Sequence, residues 1–302
     1  MSELEVWAKS KLDWDQLDCK MEIGCNGIEL QLFSDIYEDG ERISDLWVRS
    51  IDMQRLCKYP IKAVHVPLRE DDPMHLETIC KARMHKNFEQ ICLFANTIGS
   101  RTKSVINIII HSEMSYDMLY ESGLLDQLEE HLSLLLKRYQ NICICIENVM
   151  AVHCKGQAII LRENYLFENV KMVKYLRDKL RCDRIGTCLD TCHMESTLRS
   201  LDSIIKYLGC ESSVIRSDSK DFFRANAGYC KQIHLAHCGN YGITKDEHGV
   251  VIESKDEITN FLQLYHMFAY DCPICLEISE KDYLKCDSYA TTYKLLRNLE
   301  KI

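Results

Sequence analysis

The hydrophobic positions of this chain fall into short aliphatic runs that alternate with longer amphipathic stretches. Short β-branched runs bounded by polar or turn residues read as strands, and a recurrence at i, i+3, i+4 reads as a helix with one buried face. The pattern predicts eight strands, at Leu4–Lys9, Gly27–Phe33, Ile61–Pro67, Val105–His111, Ile142–Asn148, Ile185–Asp190, Gln232–His237 and Pro273–Ile278. Helices are expected at Asp45–Lys58, His75–Thr97, Met118–Tyr139, Asn164–Lys179, Leu198–Tyr207, Lys255–Phe268 and Tyr283–Leu299, with a less regular pattern over Trp14–Ile23. The series Leu124, Leu125, Leu128, Leu132, Leu135, Leu136 is the clearest helical stripe. It is a packing face and implies no cofactor.

Eight alternations of strand and helix in 302 residues fit an α/β closed (β/α)8 TIM barrel, expected as one domain over residues 1–302, better than an open doubly wound sheet. An open nucleotide-binding sheet would need a Gly-rich phosphate turn after the first strand, and the sequence has none there. The longest irregular connections, Met150–Glu163, Cys210–Tyr229 and Cys238–Ile252, follow late strands. In a barrel such connections rise from the catalytic face.

Strands three to eight each end in a side chain able to bind a metal: His65 in KAVHVP, His111 in NIIIHS, Glu147 in CICIEN, Asp190 in TCLDTCH, His234 in QIHLAH and Glu277 in ICLEIS. Residues i and i−2 of a strand share a face. The inward positions beneath this ring are therefore Ala63, Ile109, Cys145, Cys188, Gln232 and Cys275, mostly small, while Val64, Ile110, Ile146, Leu189, Ile233 and Leu276 point outward toward helices. A charged group turned inward from an apolar strand needs a partner or a metal. One strand-end histidine is ordinarily a hydrogen-bonded structural residue, but six such strands in succession point to a convergent metal site. A ring of carboxylates and imidazoles holding an organic ligand is the competing expectation. Oxygen and imidazole donors suit zinc, manganese, magnesium or cobalt. His193, three positions after Asp190, and the pair Asp246 and His248 in TKDEHG extend the set.

Composition narrows the picture. The chain is 46% hydrophobic and 27% charged with 12 Gly and 4 Pro, which excludes a disordered or collagenous polymer. The net charge of −9 argues against a generic DNA-coating surface, although bound divalent cations would offset much of it. The start MSELEVWAKSKL has no basic region followed by an apolar run, and no stretch is long and apolar enough to span a bilayer, so the expectation is a cytoplasmic protein with no membrane partner. The 17 Cys are odd in number and many sit in strand-like runs such as ICICIEN, which suits reduced thiols.

At these phrases the sequence resembles the xylose-isomerase-like barrel superfamily, and within it the endonuclease IV type of apurinic/apyrimidinic endonuclease. The resemblance is carried by HVP at His65, IIIHS at His111, CIEN at Glu147, CLDTCH from Cys188 to His193, IHL at His234, DEH from Asp246 to His248 and CLEI at Glu277. It implies up to three zinc ions: one on His65, His111 and Glu147, a second on Glu147, Asp190, His234 and Glu277, and a third on His193, Asp246 and His248. It further implies a phosphodiester substrate, abasic DNA or a smaller phosphate compound, attacked by water activated between metals. Glu147 and Glu277 are the acids expected to carry the chemistry. A mononuclear sugar isomerase or epimerase would use Glu147, Asp190, His234 and Glu277 alone; a metal-stabilised binding protein without catalysis is the non-enzymatic expectation.

The loops depart from the endonuclease pattern. PLREDDP follows His65, with Leu68 where an intruding aromatic would stand; SEMS follows His111; NVMAVHCKG follows Glu147; and MEST follows His193. Arg69, Arg101, Lys155, Arg162, Arg216, Lys220, Arg224 and Lys245 are the basic candidates for phosphate contact, with a solvated loop face the simpler role for most. Glu29 in GIELQL is a candidate supporting acid. Cys143 and Cys145 are expected to fill the barrel, and the Cys272/Cys275 pair reads as strand interior. His153 and Cys154 lie in a loop near Glu147, whereas His75, His85, His131 and His266 are expected as surface or packing residues of helices.

Overall fold

The computed structural model describes residues 3–38, 42–43, 45–67, 74–150, 152–155, 158–161, 167–208, 218–239, 241–242, 245–246 and 249–300. Leu68, Arg69, Arg162, Arg216 and His248 lie outside them, as do the side chains of His153, Cys154, Lys155, Lys245 and Asp246.

Eight parallel strands close into a barrel: β1 (Val6–Ser10), β2 (Gly27–Gln31), β3 (Ile61–His65), β4 (Ile106–His111), β5 (Ile142–Glu147), β6 (Ile185–Asp190), β7 (Cys230–Leu235) and β8 (Ile274–Leu276). They follow one another around the ring, β8 pairing with β1 through Trp7 opposite Cys275. Each expected strand is present. Register pins the metal-capable ends to one rim: His111 stands opposite Glu147 and Asp190 opposite His234. At the other end Gly27 has Trp7 against its backbone, and an added Cβ would meet the indole at 2.2 Å. Only a residue without a side chain lets that ring close the barrel floor.

Alternation sorts the side chains as the strands require. Ile109, Cys143, Cys145 and Cys188 form one inner cluster, and Trp7, Ala63 and Cys275 another. Val64, Ile110 and Ile146 join an outer core, and Leu189, Ile233 and Leu276 a second one. The outer layer carries α1 (Trp14–Ile23), α2 (Asp45–Ser50), α3 (Met53–Leu56), α4 (Ala82–Thr102), α5 (Tyr116–Glu121), α6 (Leu124–Arg138), α7 (Glu168–Leu180), α8 (Thr191–Leu208), α9 (Ser219–Asn226), α10 (Lys255–Met267) and α11 (Asp287–Leu299). The leucine stripe faces inward at Leu125, Leu128, Leu132, Leu135 and Leu136.

Helix boundaries differ from the periodicity in instructive places. The helix expected over Asp45–Lys58 is two, because the Asp52 carboxylate accepts from the Arg55 amide and starts a new helix. Met118–Tyr139 is also two, divided by Gly123 at φ +73°. The long helix drawn from His75 begins only at Ala82, after a 3-10 turn at Thr78–Cys80. α8 starts seven residues before the expected Leu198, directly after Asp190, whose carboxylate accepts from the His193 amide as an N-cap does. α9 lies inside the Cys210–Tyr229 connection, started by a capping box between Asp218 and Asp221. The other two long connections contain short hairpins, Val152–Lys155 with Ala158–Leu161 and Tyr241–Gly242 with Lys245–Asp246.

Candidate metal centre

Glu147 ends β5 at the middle of the barrel mouth, fully buried. Its Oε2 lies 3.1 Å from His111 Nε2 and 3.3 Å from His65 Nε2. Its Oε1 lies 3.1 Å from His234 Nδ1 and 3.5 Å from His193 Nδ1. The two oxygens thus divide the imidazoles between two sides of one carboxylate. His234 Nδ1 is also 2.6 Å from Glu277 Oε2 and 3.8 Å from Asp190 Oδ2.

Outer partners fix which ring nitrogen faces inward. His65 Nδ1 lies 2.8 Å from the Val66 carbonyl, which can only accept, so the neutral ring carries its proton there and turns the Nε2 lone pair toward Glu147. His234 Nε2 donates to Glu29 Oε2 at 2.9 Å, so Nδ1 is the atom turned among Glu147, Asp190 and Glu277, where a cation could take the place of a proton. His193 Nδ1 donates to the Asn148 carbonyl at 2.8 Å. At His65 and His234 a carbonyl or carboxylate stands behind the ring, the arrangement that orients imidazoles for a metal.

Two donor sets have atoms close enough to share an ion: His65, His111 and Glu147, and Glu147, Asp190, His234 and Glu277. The donors fit divalent cations on chemical grounds. His234 Nδ1 faces three carboxylates and holds at most one proton, whereas one cation satisfies the nitrogen and the acids together. Glu29 with His234 and Cys275, and Glu147 with Cys188 and His234, also converge, but those sets reuse His234 and reach down into the barrel.

The electrostatics follow from burial of this cluster. Burial opposes ionisation of Glu147, yet His234 and His111 hold its carboxyl far below the usual range. Glu277 behaves alike, with Lys9 and His234 overcoming its burial. Burial pushes His111 down to about 3 against the pull of Glu147, while at His234 the neighbouring Cys188, Glu29, Glu147 and Glu277 outweigh burial and raise it.

Of the nine site residues expected from sequence, seven meet here: His65, His111, Glu147, Asp190, His193, His234 and Glu277. His248 and the Asp246 side chain fall outside the described residues. Glu29 is a supporting acid, bound to His234 and to the Gln232 amide. Lys9 escaped the sequence reading: it lies 10% exposed, with its ammonium 2.6 Å from Glu277 and 3.4 Å from Glu29. Its signal was a lysine at an inward position of β1, paired in register with Glu29. Asn148 was missed too; it exchanges hydrogen bonds with the Asp190 backbone at 2.8 and 3.0 Å and ties the ends of β5 and β6 together. Of the two roles expected for His75, surface or packing, the structure shows packing, although just before a helix and not within one. His75 is buried beside His111, with Glu77 at 3.5 Å and Glu113 at 3.6 Å. The basic candidates Arg101, Lys220 and Arg224 sit exposed on outer helices. Cys272 packs in an outer core while Cys275 faces the barrel interior, so the two thiols do not converge.

The fold is a closed eight-stranded parallel barrel, the architecture the sequence led one to expect. The 3-keto-D-glucoside 4-epimerase of E. coli superimposes with a TM-score of 0.56 at 10% identity, over 99% of this chain and 100% of that one. The D-psicose 3-epimerase of Clostridium cellulolyticum H10, solved with D-tagatose, gives 0.55 at 10% identity over 99% and 97%. In sequence the chain is similar to probable endonuclease 4 of Mycoplasmopsis synoviae (strain 53), 39% identical over 70 residues, 23% of this chain and 22% of the relative. It is also similar to probable endonuclease 4 of Metamycoplasma arthritidis (strain 158L3-1), 28% identical over 120 residues, 39% and 38% of the two chains. The matched stretches span less than two-fifths of those relatives' length. No family model matches the chain. Among the described residues no helix is long and apolar enough to cross a membrane.

Proposed function

We propose that the chain is an enzyme, a divalent-metal-dependent hydrolase of a phosphodiester, similar in chemistry to endonuclease 4. The observation that carries this reading is the division of Glu147 between two donor sets, His65 and His111 on Oε2 and His234 on Oε1. A mononuclear site would leave the first pair of buried imidazoles without a purpose.

His65, His111 and Glu147 would hold one cation, and Glu147, Asp190, His234 and Glu277 another, with zinc the ion the resemblance implies. Cations held there supply Lewis acidity toward phosphate oxygens and make bound water a nucleophile near neutral pH. The chain's own part is positional. Glu29 and the Val66 carbonyl keep His234 and His65 in the ligating tautomer. Asn148 keeps Asp190 level with Glu147. Lys9 holds Glu277 at the rim and balances part of its charge. The buried strand ends keep bulk water from these groups and so strengthen every charge interaction among them. The substrate is a phosphate compound, DNA with an abasic site among the candidates, and the working compartment the cytoplasm.

The test is metal content measured together with cleavage of an abasic-site duplex and of bis(p-nitrophenyl) phosphate, with Glu147→Gln as control. About two or more metals per chain and cleavage lost in the variant support the reading. One metal per chain without phosphodiester cleavage defeats it. A second reading, sugar epimerisation, draws on the structural likeness to epimerases and on Glu147 and Glu277 flanking one cluster. It requires exchange of a carbon-bound proton for deuterium on a ketose panel, and no label incorporation would remove it.

A further inference from the structure

Gln232 and His234 point into the barrel from β7, and strict alternation would send Cys230 the same way. It does not go there. Between β6 and β7 the register slips: Thr187 stands opposite Cys230 and Cys188 opposite Gln232, so Lys231 is an extra residue on β7. A bulge of this kind re-aims the side chains beside it, and Cys230 packs instead against the outer core that holds Cys272.

There the two sulfurs meet. Cys272, two residues before β8, donates its S–H to Cys230 Sγ at 3.7 Å, and the Cys230 thiol donates to the Gln232 carbonyl at 3.0 Å. β7 and β8 are paired neighbours, and adjacent strands run about 4.8 Å apart, inside the roughly 4.4–6.8 Å between Cα atoms that a disulfide spans. The pair is also asymmetric. Cys272 is 7% exposed, with its carbonyl taken by the Tyr265 hydroxyl at 2.8 Å, whereas Cys230 begins its strand only half-buried. The hydrogen bond to Cys230, and then burial, push the Cys272 thiol well above its usual range. An oxidant therefore meets Cys230 first and finds a second sulfur in contact behind it. Cys143 and Cys145 also approach, at 4.0 Å, but both are sealed inside the barrel.

We propose that Cys230 and Cys272 form a peroxide-reactive modification site that closes to a disulfide across β7 and β8 and reopens on reduction. The Cys230 thiolate attacks one oxygen of hydrogen peroxide; the O–O bond breaks, the departing hydroxide takes up the thiol's proton as water, and Cys230 becomes a sulfenic acid. The Cys272 sulfur then attacks the Cys230 sulfur. The S–S bond forms as the S–O bond breaks, and hydroxide leaves with the Cys272 proton as a second water. In sum two thiols and one peroxide give one disulfide and two waters, the sulfurs losing the two electrons that the peroxide oxygens gain. His234 stands four residues beyond Cys230 and Glu277 five beyond Cys272, about 13 Å or more along the strands. The staple therefore closes at the far end from the proposed metal centre and leaves its donors in place.

The test treats the reduced, zinc-supplemented protein with hydrogen peroxide, alkylates the remaining thiols and sequences the tryptic peptides by mass spectrometry. The expected product is a peptide pair joined through Cys230 and Cys272, split again by dithiothreitol, with Cys230 consumed about tenfold faster than the half-buried Cys57, Cys80 and Cys182. In Cys272→Ser, checked for unchanged circular dichroism, the Cys230 sulfenic acid has no resolving sulfur and is expected to be trapped by dimedone at roughly tenfold the wild-type yield. Linkage through any other cysteine, or Cys230 consumed no faster than Cys57, overturns the site. Equal dimedone labelling in the two proteins overturns the role of Cys272. Zinc lost in step with oxidation traces the reaction to Cys188 and Cys275 beneath the rim and overturns it as well.

Discussion

The two sides of the barrel mouth solve different problems with the same strand geometry. β3 to β8 close on Glu147 with imidazoles and acids packed within about hydrogen-bond distance, an array that carries excess negative charge. β1 and β2 contribute Lys9 and Glu29, a lysine and an acid that brace that array from one flank, and beyond them the wall turns cationic and aromatic at Lys11 and Phe33. On the proposed reading, the acidic half would bind cations and the other half would limit and orient what those cations meet. Neither half is intelligible alone, because Lys9 belongs to both.

The hardest blow to this division is Glu147→Gln. It removes the carboxylate common to both donor sets, and losing several kcal/mol of metal-derived stabilisation corresponds to about a thousandfold or more in kcat/KM. Elemental analysis should show metal content falling with it; a variant that keeps its full metal complement and its activity breaks the assignment of the acidic half.

Lys9→Met comes next. It leaves Glu29 and Glu277 facing each other's charge in a buried site, a change on the order of 3–5 kcal/mol when one partner of a buried pair is removed. Thermal unfolding of the EDTA-treated variant should drop markedly, and adding zinc should recover part of the loss, because a cation on Glu277 replaces some of the missing charge. Equal loss with and without zinc would mean that Lys9 is only a structural brace.

Glu29→Gln tests the support of His234. Substituting the partner behind a ligating histidine weakens metal affinity by about 10- to 100-fold, read by competition with a zinc chelator. An unaltered affinity would show that the His234 ring needs no anchor.

The smallest effect lies far from the mouth, where His85 on α4 and His131 on α6 approach Nδ1 to Nδ1 at 2.6 Å. Burial and then His131 lower His85 below its usual 6.5. As pH falls through about 6.5 the unfolded chain therefore takes up a proton before the folded one, and stability present above that pH declines below it. The pair should cost a degree or two of Tm, on the order of the shift from a weak surface interaction in a domain this size, between pH 8 and pH 5.5. His131→Gln should flatten that slope, and an identical slope in the variant would remove the pair from the explanation.

Much of the barrel was legible from the chain because period-two alternation and an inward polar terminus leave a mark in every strand. Ala63, Cys145, Cys188 and Cys275 face inward and Val64, Ile146, Leu189 and Leu276 outward as the pattern requires. The helices were less legible where a single side chain or glycine set the boundary. Asp190 reads as a ligand in a strand, and nothing in the periodicity reveals that it also starts α8. Gly123 and Asp52 cut continuous apolar patterns by local backbone conformation and by capping, which hydrophobic spacing does not register.

The order of strands, the layer each side chain joins and the list of residues able to hold a metal were determined by the sequence, since each depends on near neighbours along the chain. Which of those residues meet, and through which atom, depended on closure. Lys9 and Glu277 are 268 positions apart and come within 2.6 Å only because β8 pairs with β1. The two-sided use of Glu147, the tautomers favoured by Val66 and Glu29, and the packing of His75 beside His111 all arise from that ring, because distance and orientation across a barrel are properties of its register and curvature that no local pattern encodes.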